Sequence, residues 1–497
     1  MAAVVLLMHF LAALTAYYAL QTVRTSQAAV AWVVGLVTLP YVTLPLYWVF
    51  ARRRFEGYRE AVREVGDQHQ HSVAAIRREL FTDPLQRTTQ LSTPLEQVAD
   101  VLDTPISYDN EFRLLIDGRE FFDAVFDQIA SAERYIYVSF YILRDDQIGN
   151  RFADALTDRA RSGVQVRLLY DEVGCLSLSN RYLRRLEDAG VDVRAFNTRQ
   201  GWANRFQINF RNHRKLVVVD GDRALVGGLN IGDEYLGQMD WAPRWRDTSV
   251  EMSGRITRKI QAVFAGDYYW AARKDLPEAI WRDGFGDHDI GSADPSSAPS
   301  LVNTGDAIQP NRASQNGLAV VCATGPADKR PNAVMMFAAA IGAAKQRLWI
   351  STPYLVPDDA IMIALAMAKS RGVDVRLLIP SVPDQWAVFL AGFYYERELA
   401  DIDIPVYRYS DGMLHQKCVL VDRSMALIGS TNLDNRSLYL NFELMVAVQD
   451  PDFVFEVESM LERDFEKSQR SNGSGAPARP WIARIGTAVA RLFSPVL

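Results

Sequence analysis

The chain has 497 residues and can bury a large core, so more than one domain is expected. Its net charge of −6 excludes the global basic field that is typical of nucleic-acid-binding proteins. Its three cysteines, Cys175, Cys322 and Cys418, are widely spaced and form no CxxC pair, which argues against a secreted disulfide scaffold.

Two uncharged apolar segments lie near the N-terminus, at residues 3–20 and 28–50. Each is long enough to cross a bilayer, and three arginines at 52–54 follow the second one. Because arginine-rich flanks favour the cytoplasmic side, residues 1–51 are predicted to form a transmembrane helical hairpin with both ends in the cytoplasm. A signal peptide is a poorer interpretation, since no basic region precedes the first segment and a second one follows at once.

The chain after the hairpin shows the alternation of an α/β protein. Residues 52–107 are predicted to be a juxtamembrane segment that contains a charged helix over 58–81. From residue 108 to 283, strand-like runs at 135–141 and 164–170 alternate with helical patterns, such as the one over 150–162. This order predicts a mixed sheet flanked by helices.

Part of this pattern returns later in the chain. Residues 348–354 echo 135–141, and residues 370–378 echo 161–169. A long repeat that occurs only twice predicts two duplicated lobes rather than a solenoid.

The remaining boundaries follow from composition. The second lobe is predicted over residues 317–470, and residues 284–316, rich in Gly, Ser, Pro and Asp, are predicted to be a linker. Residues 471–497 are predicted to be an amphipathic tail, which either lies at the membrane interface or packs on the lobe.

The most distinctive pattern is a polar motif that occurs twice with the same spacing. The first copy consists of His213, Lys215 and Asp220, followed by Asn230. The second copy consists of His415, Lys417, Asp422 and Asn432. Because alternate residues of a strand face the same side, each histidine should share a face with its lysine.

Each copy suits an anion better than a metal ion. An ammonium group repels cations, whereas lysine and asparagine can donate to phosphate oxygens. Histidine can attack phosphorus or transfer a proton near neutral pH. A buried structural histidine is the alternative interpretation of one copy, but the duplication disfavours it. No metal and no cofactor is expected, because no cluster with ligand spacing lies near either motif.

These residues resemble the phospholipase D superfamily, whose signature is this duplicated HxKxxxxD motif. The flanking residues 227–237 and 245–248, with the N-terminal hairpin, are similar to the bacterial cardiolipin synthase family that has two transmembrane segments. The resemblance covers nearly the whole chain. It implies two phospholipase-D-like α/β lobes related by a pseudo-twofold axis, in a multi-pass protein of the inner membrane with cytoplasmic lobes.

The resemblance also implies roles for the motif residues. His213 is the expected nucleophile, and His415 is the expected general acid and base. The expected phosphate-holding groups are Lys215, Lys417, Asn230, Asn432 and Ser430.

Each histidine also needs a carboxylate that orients its second ring nitrogen. Asp220 and Asp422 lie an odd number of residues from their histidines, on the opposite face of a strand, which predicts mainly structural roles. Asp247 and Glu443 are better candidates, because they align with each other on the next strand. Glu234 is an alternative in the first half.

The expected function is therefore phosphatidyl transfer between two phosphatidylglycerol molecules, giving cardiolipin and glycerol through a phosphohistidine. A hydrolase of the phospholipase D type, or a transferase with another phospholipid donor, would use the same chemistry. A nuclease is disfavoured by the apolar segments and the acidic net charge, so membrane lipid and not nucleic acid is the expected partner. A non-catalytic scaffold is disfavoured by the two intact motifs.

Overall fold

The computed structural model describes residues 2–23, 26–51, 55, 58, 93–197, 209–238, 244–277, 317–471, 481–492 and 494. The predicted helix over 58–81, apart from Tyr58, and the predicted linker 284–316 lie outside these residues. The described residues form an N-terminal group of helices, two α/β lobes and a C-terminal helix.

The N-terminal group consists of α1 (Ala2–Thr22), α2 (Ser26–Thr38) and α3 (Pro40–Phe50). Among the described residues, only α1, with 21 residues, is a helix long and apolar enough to cross a membrane. The expected single helix over 28–50 is wrong, because the chain reverses between α2 and α3. Pro40 has no amide hydrogen and restricts the residue before it, and Leu39 leaves the helical region at φ −135° and ψ 59°.

Contacts between α2 and α3 establish the reversal. The ring centroids of Trp32 and Tyr47 lie 5.3 Å apart, whereas a straight helix would separate these residues by about 22 Å. A Cβ added to Gly35 would lie 2.9 Å from Thr43 Cγ2, so the glycine permits this close approach. Helix α3 therefore runs back to the end of α1, where Thr22 Oγ1 lies 3.3 Å from the Tyr47 hydroxyl oxygen.

The end of α3 contacts the lobes. The side-chain amide of Asn209 donates a 2.7 Å hydrogen bond to the carbonyl oxygen of Val49. Phe55, a few residues further on, is fully buried in an aromatic cluster. Its neighbours there are Phe210, Trp270 and Phe442.

Helix α4 (Pro94–Leu102) falls within the predicted juxtamembrane segment but packs on the second lobe. A capping box formed by Thr93 and Glu96 begins the helix. Its buried residues, Leu95, Val98, Ala99 and Leu102, belong to the apolar core of the second lobe.

The first lobe is a mixed seven-stranded sheet flanked by helices. Its sheet order is β1-β9-β7-β6-β2-β3-β4. The strands of this region are β1 (Asn110–Ile116), β2 (Tyr135–Phe140), β3 (Gln165–Asp171), β4 (Asp192–Phe196), β5 (Arg211–Asn212), β6 (Leu216–Val219), β7 (Arg223–Gly227), β8 (Trp245–Arg246) and β9 (Thr248–Gly254). The helices are α5 (Asp117–Ser131), α6 (Gln147–Arg161), α7 (Asn180–Asp188) and α8 (Ile256–Ala272).

The second lobe has the same strand order, with one additional edge strand. Its main path is β10-β19-β17-β16-β11-β13-β14-β20. The strands are β10 (Leu318–Thr324), β11 (Arg347–Ser351), β12 (Leu355–Val356), β13 (Asp374–Pro380), β14 (Val406–Tyr409), β15 (Met413–Leu414), β16 (Cys418–Val421), β17 (Met425–Gly429), β18 (Leu433–Asp434), β19 (Asn441–Gln449) and β20 (Ser468–Arg470). The helices are α9 (Asn332–Ala343), α10 (Asp359–Ser370), α11 (Trp386–Ala400), α12 (Asn435–Tyr439) and α13 (Pro451–Glu466).

The register of the two sheets corrects one part of the sequence repeat. Ser139 pairs with Leu216, and Ser351 pairs with Cys418, which holds the same motif position as Leu216. Residues 347–353 therefore correspond to 135–141, one residue earlier than the sequence repeat implied. The slip arises because β2 is buried on both faces, so its apolar residues do not alternate and do not mark the register.

One apolar core joins the two lobes. Buried side chains of both sheets form a single cluster with α8 and α13; examples are Val218, Val250, Leu420 and Val446. Because this shared surface is removed from water, the lobes are stabilised as one body.

The C-terminal helix α14 (Trp481–Leu492) lies against α11. Ala490 is buried there, and the Arg491 guanidinium lies 3.6 Å from the centroid of the Tyr394 ring. This arrangement corresponds to the packed alternative for the tail.

Candidate active site

Two short strand pairs between the lobes bring the duplicated motifs together. Strand β5 ends directly before His213 and pairs with the first residues of β19, which lead into Glu443. Strand β15 ends directly before His415 and pairs with β8, which leads into Asp247. Backbone pairing thus sets each histidine beside the acid of the other lobe.

Each histidine is hydrogen-bonded to that acid. His213 Nδ1 lies 3.0 Å from Glu443 Oε2, and His415 Nδ1 lies 2.7 Å from Asp247 Oδ2. Both carboxylates are fully buried. The sequence predicts Asp247 and Glu443 as the orienting acids, but the exchange between lobes was not predicted. A reciprocal exchange of this kind is what a twofold relation between two lobes produces.

Both motif lysines lie beside their own histidines. Lys215 Nζ donates to the backbone oxygen of His213 at 2.8 Å. Lys417 Nζ lies 2.9 Å from His415 Nδ1. The alternation expected of a strand therefore puts an ammonium and an imidazole on one face in each lobe.

The residue between each histidine and its lysine points the other way. Arg214 donates to Asp267 Oδ1 at 2.7 Å, and Gln416 donates to Asp464 Oδ2 at 3.0 Å. Arg246 also donates to Asp464, at 2.9 Å. These buried contacts hold the two motif segments on the face opposite their histidines and lysines.

Burial and the lysines together favour the neutral form of both histidines. Burial, aided by Lys215, lowers the pKa of His213 to about 4 against the opposing effect of Glu443. Burial and Lys417 lower the pKa of His415. Burial also lowers the pKa of Lys417 to about 8 and that of Lys215 well below its usual value. An anion bound among these four groups would favour their protonated forms.

The two motif aspartates bind backbone amides rather than the histidines. Asp220 accepts three amides at 2.7–2.8 Å, those of Glu133, Arg134 and Tyr135. Asp422 accepts the corresponding three amides, those of Lys345, Gln346 and Arg347. Each aspartate thereby ties the hairpin that carries its motif to the start of the adjoining strand.

The two predicted asparagines are engaged within the protein. Asn230 accepts from the Ile142 amide at 3.1 Å and donates to the Tyr235 hydroxyl at 3.0 Å. The side chain of Asn432 lies next to Asp434 and opposes the burial that raises the pKa of that carboxyl to about 6. Because a side-chain amide has two hydrogens, each asparagine keeps a second one to donate.

Ser430 and Gly228 occupy equivalent positions in the two lobes but affect the orienting acids differently. Ser430 Oγ donates to Glu443 Oε2 at 2.5 Å, so the hydroxyl hydrogen is directed at the orienting acid. A Cβ added to Gly228 would lie 2.2 Å from Asp247 Oδ1. Glycine therefore leaves the space that the first acid occupies, whereas serine positions the second acid.

Aromatic rings flank both histidines, and the sequence reasoning did not single them out. The ring centroid of Tyr141 lies 4.9 Å from that of His213. The rings of Trp245 and Tyr354 lie 5.1 and 6.4 Å from that of His415. The tyrosines could have been found, since each is the last residue of one of the strand-like runs 135–141 and 348–354 that the sequence repeat marked. Trp245 begins the stretch 245–248 on which the resemblance rests, but the sequence assigns no role to it.

Two other expectations concern acids and metals. The alternative orienting acid, Glu234, pairs with Arg144 at 3.3 Å, whereas the acids that bind the two motif histidines are Glu443 and Asp247. Within the described ranges, no group of three or more His, Cys, Asp or Glu side chains is arranged to hold a metal ion.

Comparison with known proteins gives consistent matches over almost the whole chain. Residues 125–264 and 337–465 match the family described as "Cardiolipin synthase, PLD-like domain". "Cardiolipin synthase A" of Pseudomonas fluorescens Pf-5 is 40% identical, over 99% of this chain and 97% of that protein. "Cardiolipin synthase A" of Pseudomonas aeruginosa PAO1 is 42% identical, over 97% of this chain and 93% of that protein.

A solved structure supports the fold. The phosphatidylserine synthase of Haemophilus influenzae Rd KW20 superposes with a TM-score of 0.58, over 78% of this chain and 95% of that one. Its sequence is 18% identical, so this likeness concerns the arrangement of the lobes alone.

The exchanged hydrogen bonds predict which histidine responds to which acid. Replacing Asp247→Asn should lower the pKa of His415, because the carboxylate favours the imidazolium form. Glu443→Gln should do the same to His213. Titration of the histidine ring signals by NMR in the two variants measures both effects. A shift confined to the histidine of the same lobe as the mutated acid would contradict the exchange.

Proposed function

The chain belongs to the cardiolipin synthase family of phospholipase-D-like enzymes and is a phosphatidyltransferase, and we propose that it joins two phosphatidylglycerol molecules into cardiolipin with release of glycerol. One observation carries this proposal. Two buried histidine–lysine sets meet at the lobe interface, and each histidine is hydrogen-bonded to a carboxylate of the other lobe. Transfer between two lipids requires one group that holds the phosphatidyl unit and another that moves a proton. Two histidines supply both.

We assign the covalent step to His213. Its lowered pKa leaves the ring unprotonated at neutral pH, and Glu443 engages Nδ1, so that Nε2 carries the free lone pair. Nε2 attacks the phosphorus of the first phosphatidylglycerol, and the P–N bond forms as the P–O bond to the glycerol headgroup breaks. Phosphate binding raises the pKa of His415, which then gives a proton to the departing glycerol oxygen.

The second phosphatidylglycerol reverses these steps. His415 removes the proton from a headgroup hydroxyl, whose oxygen attacks the phosphorus as the P–N bond breaks. Lys215 and Lys417 balance the charge that grows on the non-bridging oxygens, and Asn230 and Asn432 add their spare amide hydrogens. Asp220 and Asp422 hold the motif strands, and Ser430 acts by positioning Glu443.

Hydrolysis is the second candidate, because water could attack the same intermediate and release phosphatidic acid. The aromatic rings of Tyr141, Trp245 and Tyr354 around the histidines favour the lipid alcohol over water. Product analysis with purified protein and labelled phosphatidylglycerol separates the two: cardiolipin and glycerol support transfer, whereas phosphatidic acid alone supports hydrolysis.

A covalent adduct should be trapped on His213. When the enzyme is quenched in acid-free denaturant during turnover of labelled phosphatidylglycerol, the label should map to the peptide that contains this residue. His213→Ala should abolish both the adduct and cardiolipin formation, whereas His415→Ala should abolish turnover. Label on the His415 peptide alone would reverse the assignment, and label on neither peptide of a working enzyme would exclude the covalent route.

The reaction should proceed without a metal ion, because the lysines supply the positive charge that a metal would otherwise provide. Cardiolipin formation should therefore persist in excess chelator. Complete loss, restored by one added divalent ion, would contradict this expectation. Modest stimulation by Mg²⁺ would not, since Mg²⁺ also screens the anionic lipid itself.

We also propose that α1 crosses the bacterial inner membrane and that the lobes lie in the cytoplasm. The first 54 residues contain four arginines and no lysine, namely Arg24 after α1 and the three at 52–54 after α3. Because α3 returns to the end of α1, both of these ends share one side, which the positive-inside rule assigns to the cytoplasm. The N-terminus then lies across the membrane, and α2 and α3 enter and leave the bilayer from the cytoplasmic side.

Two single cysteines distinguish this topology from a two-crossing hairpin. A membrane-impermeant maleimide added to spheroplasts should label Ala2→Cys and should label Gln27→Cys only after lysis. The three native cysteines are buried and serve as an internal background control. Labelling of Gln27→Cys from outside, with Ala2→Cys protected, would establish the hairpin with two crossings instead.

A further inference from the structure

Beside His415 lies an acid that the proposed chemistry does not use. Asp384 is half-buried in the turn between β13 and α11. The Tyr354 hydroxyl donates a hydrogen bond to its Oδ2, and the Tyr354 ring lies edge-on to the His415 ring with the centroids 6.4 Å apart. The charge of Asp384 also opposes the burial that lowers the pKa of His415 and of Lys417. This carboxylate therefore borders the reacting end of the second lobe.

Asp384 differs from the two orienting acids, Asp247 and Glu443, in its exposure to solvent. Asp247 and Glu443 are fully buried, and each is engaged by a histidine. Asp384 is partly open to solvent and is fixed in direction by one tyrosine hydroxyl. A carboxylate held in this way can accept further hydrogen bonds from a ligand, and those from hydroxyl groups are short and strong.

The direction of the reaction decides which part of the substrate reaches this acid. In phosphoryl chemistry the entering and leaving groups lie roughly in line on opposite sides of phosphorus. With His213 on one side, the alcohol must lie on the side of His415, next to Asp384. The departing glycerol and the entering headgroup use the same place in turn.

The equivalent region of the first lobe is arranged differently, because its acid, Asp171, is buried and accepts the backbone amides of Val173, Gly174 and Asn212. There the hydroxyl of Tyr141 hydrogen-bonds to Arg211, and Arg436 lies close to the same tyrosine. The tyrosine beside one histidine thus meets a guanidinium, and the tyrosine beside the other meets a carboxylate. The carboxylate beside Tyr354 is partly open to solvent, whereas Asp171 near Tyr141 is buried and already accepts backbone amides.

We propose that Asp384, held by the Tyr354 hydroxyl, forms a subsite for a vicinal diol and accepts a hydrogen bond from the headgroup hydroxyl adjacent to the reacting oxygen. This inference rests on the proposed function. The glycerol that leaves and the phosphatidylglycerol that enters both carry that hydroxyl, on the carbon next to the one whose oxygen bonds to phosphorus. Asp384 thereby selects glycerol-type alcohols in both half-reactions.

Two short alcohols that differ only in this hydroxyl test the subsite. Full-length enzyme in mixed micelles with labelled phosphatidylglycerol is offered equal concentrations of 1,2-propanediol and 1-propanol, and the ratio of the two phosphatidyl products is measured. Asp384→Asn should reduce the preference for the diol roughly 10-fold, the size expected when a hydrogen bond to a charged group is lost. Tyr354→Phe should reduce it by less, because the carboxylate stays but loses its orientation.

Asp374→Asn is the matched control, since this acid lies at the other end of β13 and should leave the ratio unchanged. If Asp384→Asn slows transfer to both alcohols equally, the acid acts only through His415 and the subsite is excluded. Ethanolamine provides a third arm: a larger loss of transfer to ethanolamine than to the diol would mean that the carboxylate serves an ammonium group, which also overturns the proposal.

The same assay separates this inference from the proposed function. Wild-type enzyme should form labelled cardiolipin when no short alcohol is added, and absence of cardiolipin would refute the proposed acceptor whatever the alcohol ratio. Retention of the covalent label on His213 in Asp384→Asn verifies that the variant is folded and still accepts the donor lipid.

Discussion

The active site depends on the two hydrogen bonds that cross between the lobes. Because Glu443 holds His213 and Asp247 holds His415, neither lobe by itself contains an oriented histidine. The short strand pairs that end directly before these residues make the exchange a consequence of backbone pairing. A buried carboxylate without its partner is strongly destabilising, so separation of the lobes would cost stability as well as activity. Lobe packing and catalytic geometry are therefore one constraint.

Duplication supplied two similar halves, and small differences between them allow two roles. Gly228 leaves space for Asp247 in the first lobe, whereas Ser430 donates a hydrogen bond to the longer acid of the second lobe, Glu443. The tyrosine next to each histidine meets a cation in one lobe and an acid in the other. A symmetric site would present the same surroundings to the phosphatidyl group and to the alcohol. In the proposed mechanism, these differences give each end of the reacting bond its own environment.

The motif chemistry could be read from the sequence because it depends on local spacing. Strand alternation places His213 with Lys215 and sends Arg214 to the opposite face, as the structure has it. The partner of each histidine could not be read in this way, since alignment of the two halves shows that Asp247 and Glu443 are equivalent but not which lobe each one reaches. No sequence pattern pointed to Asp384 either, because a turn and one tyrosine hydroxyl determine the position of its side chain.

The difference between local patterns and long-range contacts also explains why the fold class was predicted while other features were not. Alternating strand and helix patterns indicate α/β lobes, and the family match supports them. Strands buried on both faces carry no alternation, which is why one repeat was placed a residue out of register. Hydropathy counts apolar residues but does not report a chain reversal, so the helix predicted over 28–50 missed the turn at Pro40.

That reversal matters for the site because it brings the N-terminal helices into contact with the lobes. Helix α3 ends where Val49 meets Asn209, and Phe55 enters the aromatic cluster that includes Phe442, the residue before Glu443. The Tyr58 hydroxyl donates to Asp267 at 3.0 Å, and Asp267 pairs with Arg214 behind the first motif strand. Phe55 and Tyr58, which follow α3, thus contribute to the packing behind His213. With α3 returning to the end of α1, the N-terminal helices meet the lobes on the side of His213.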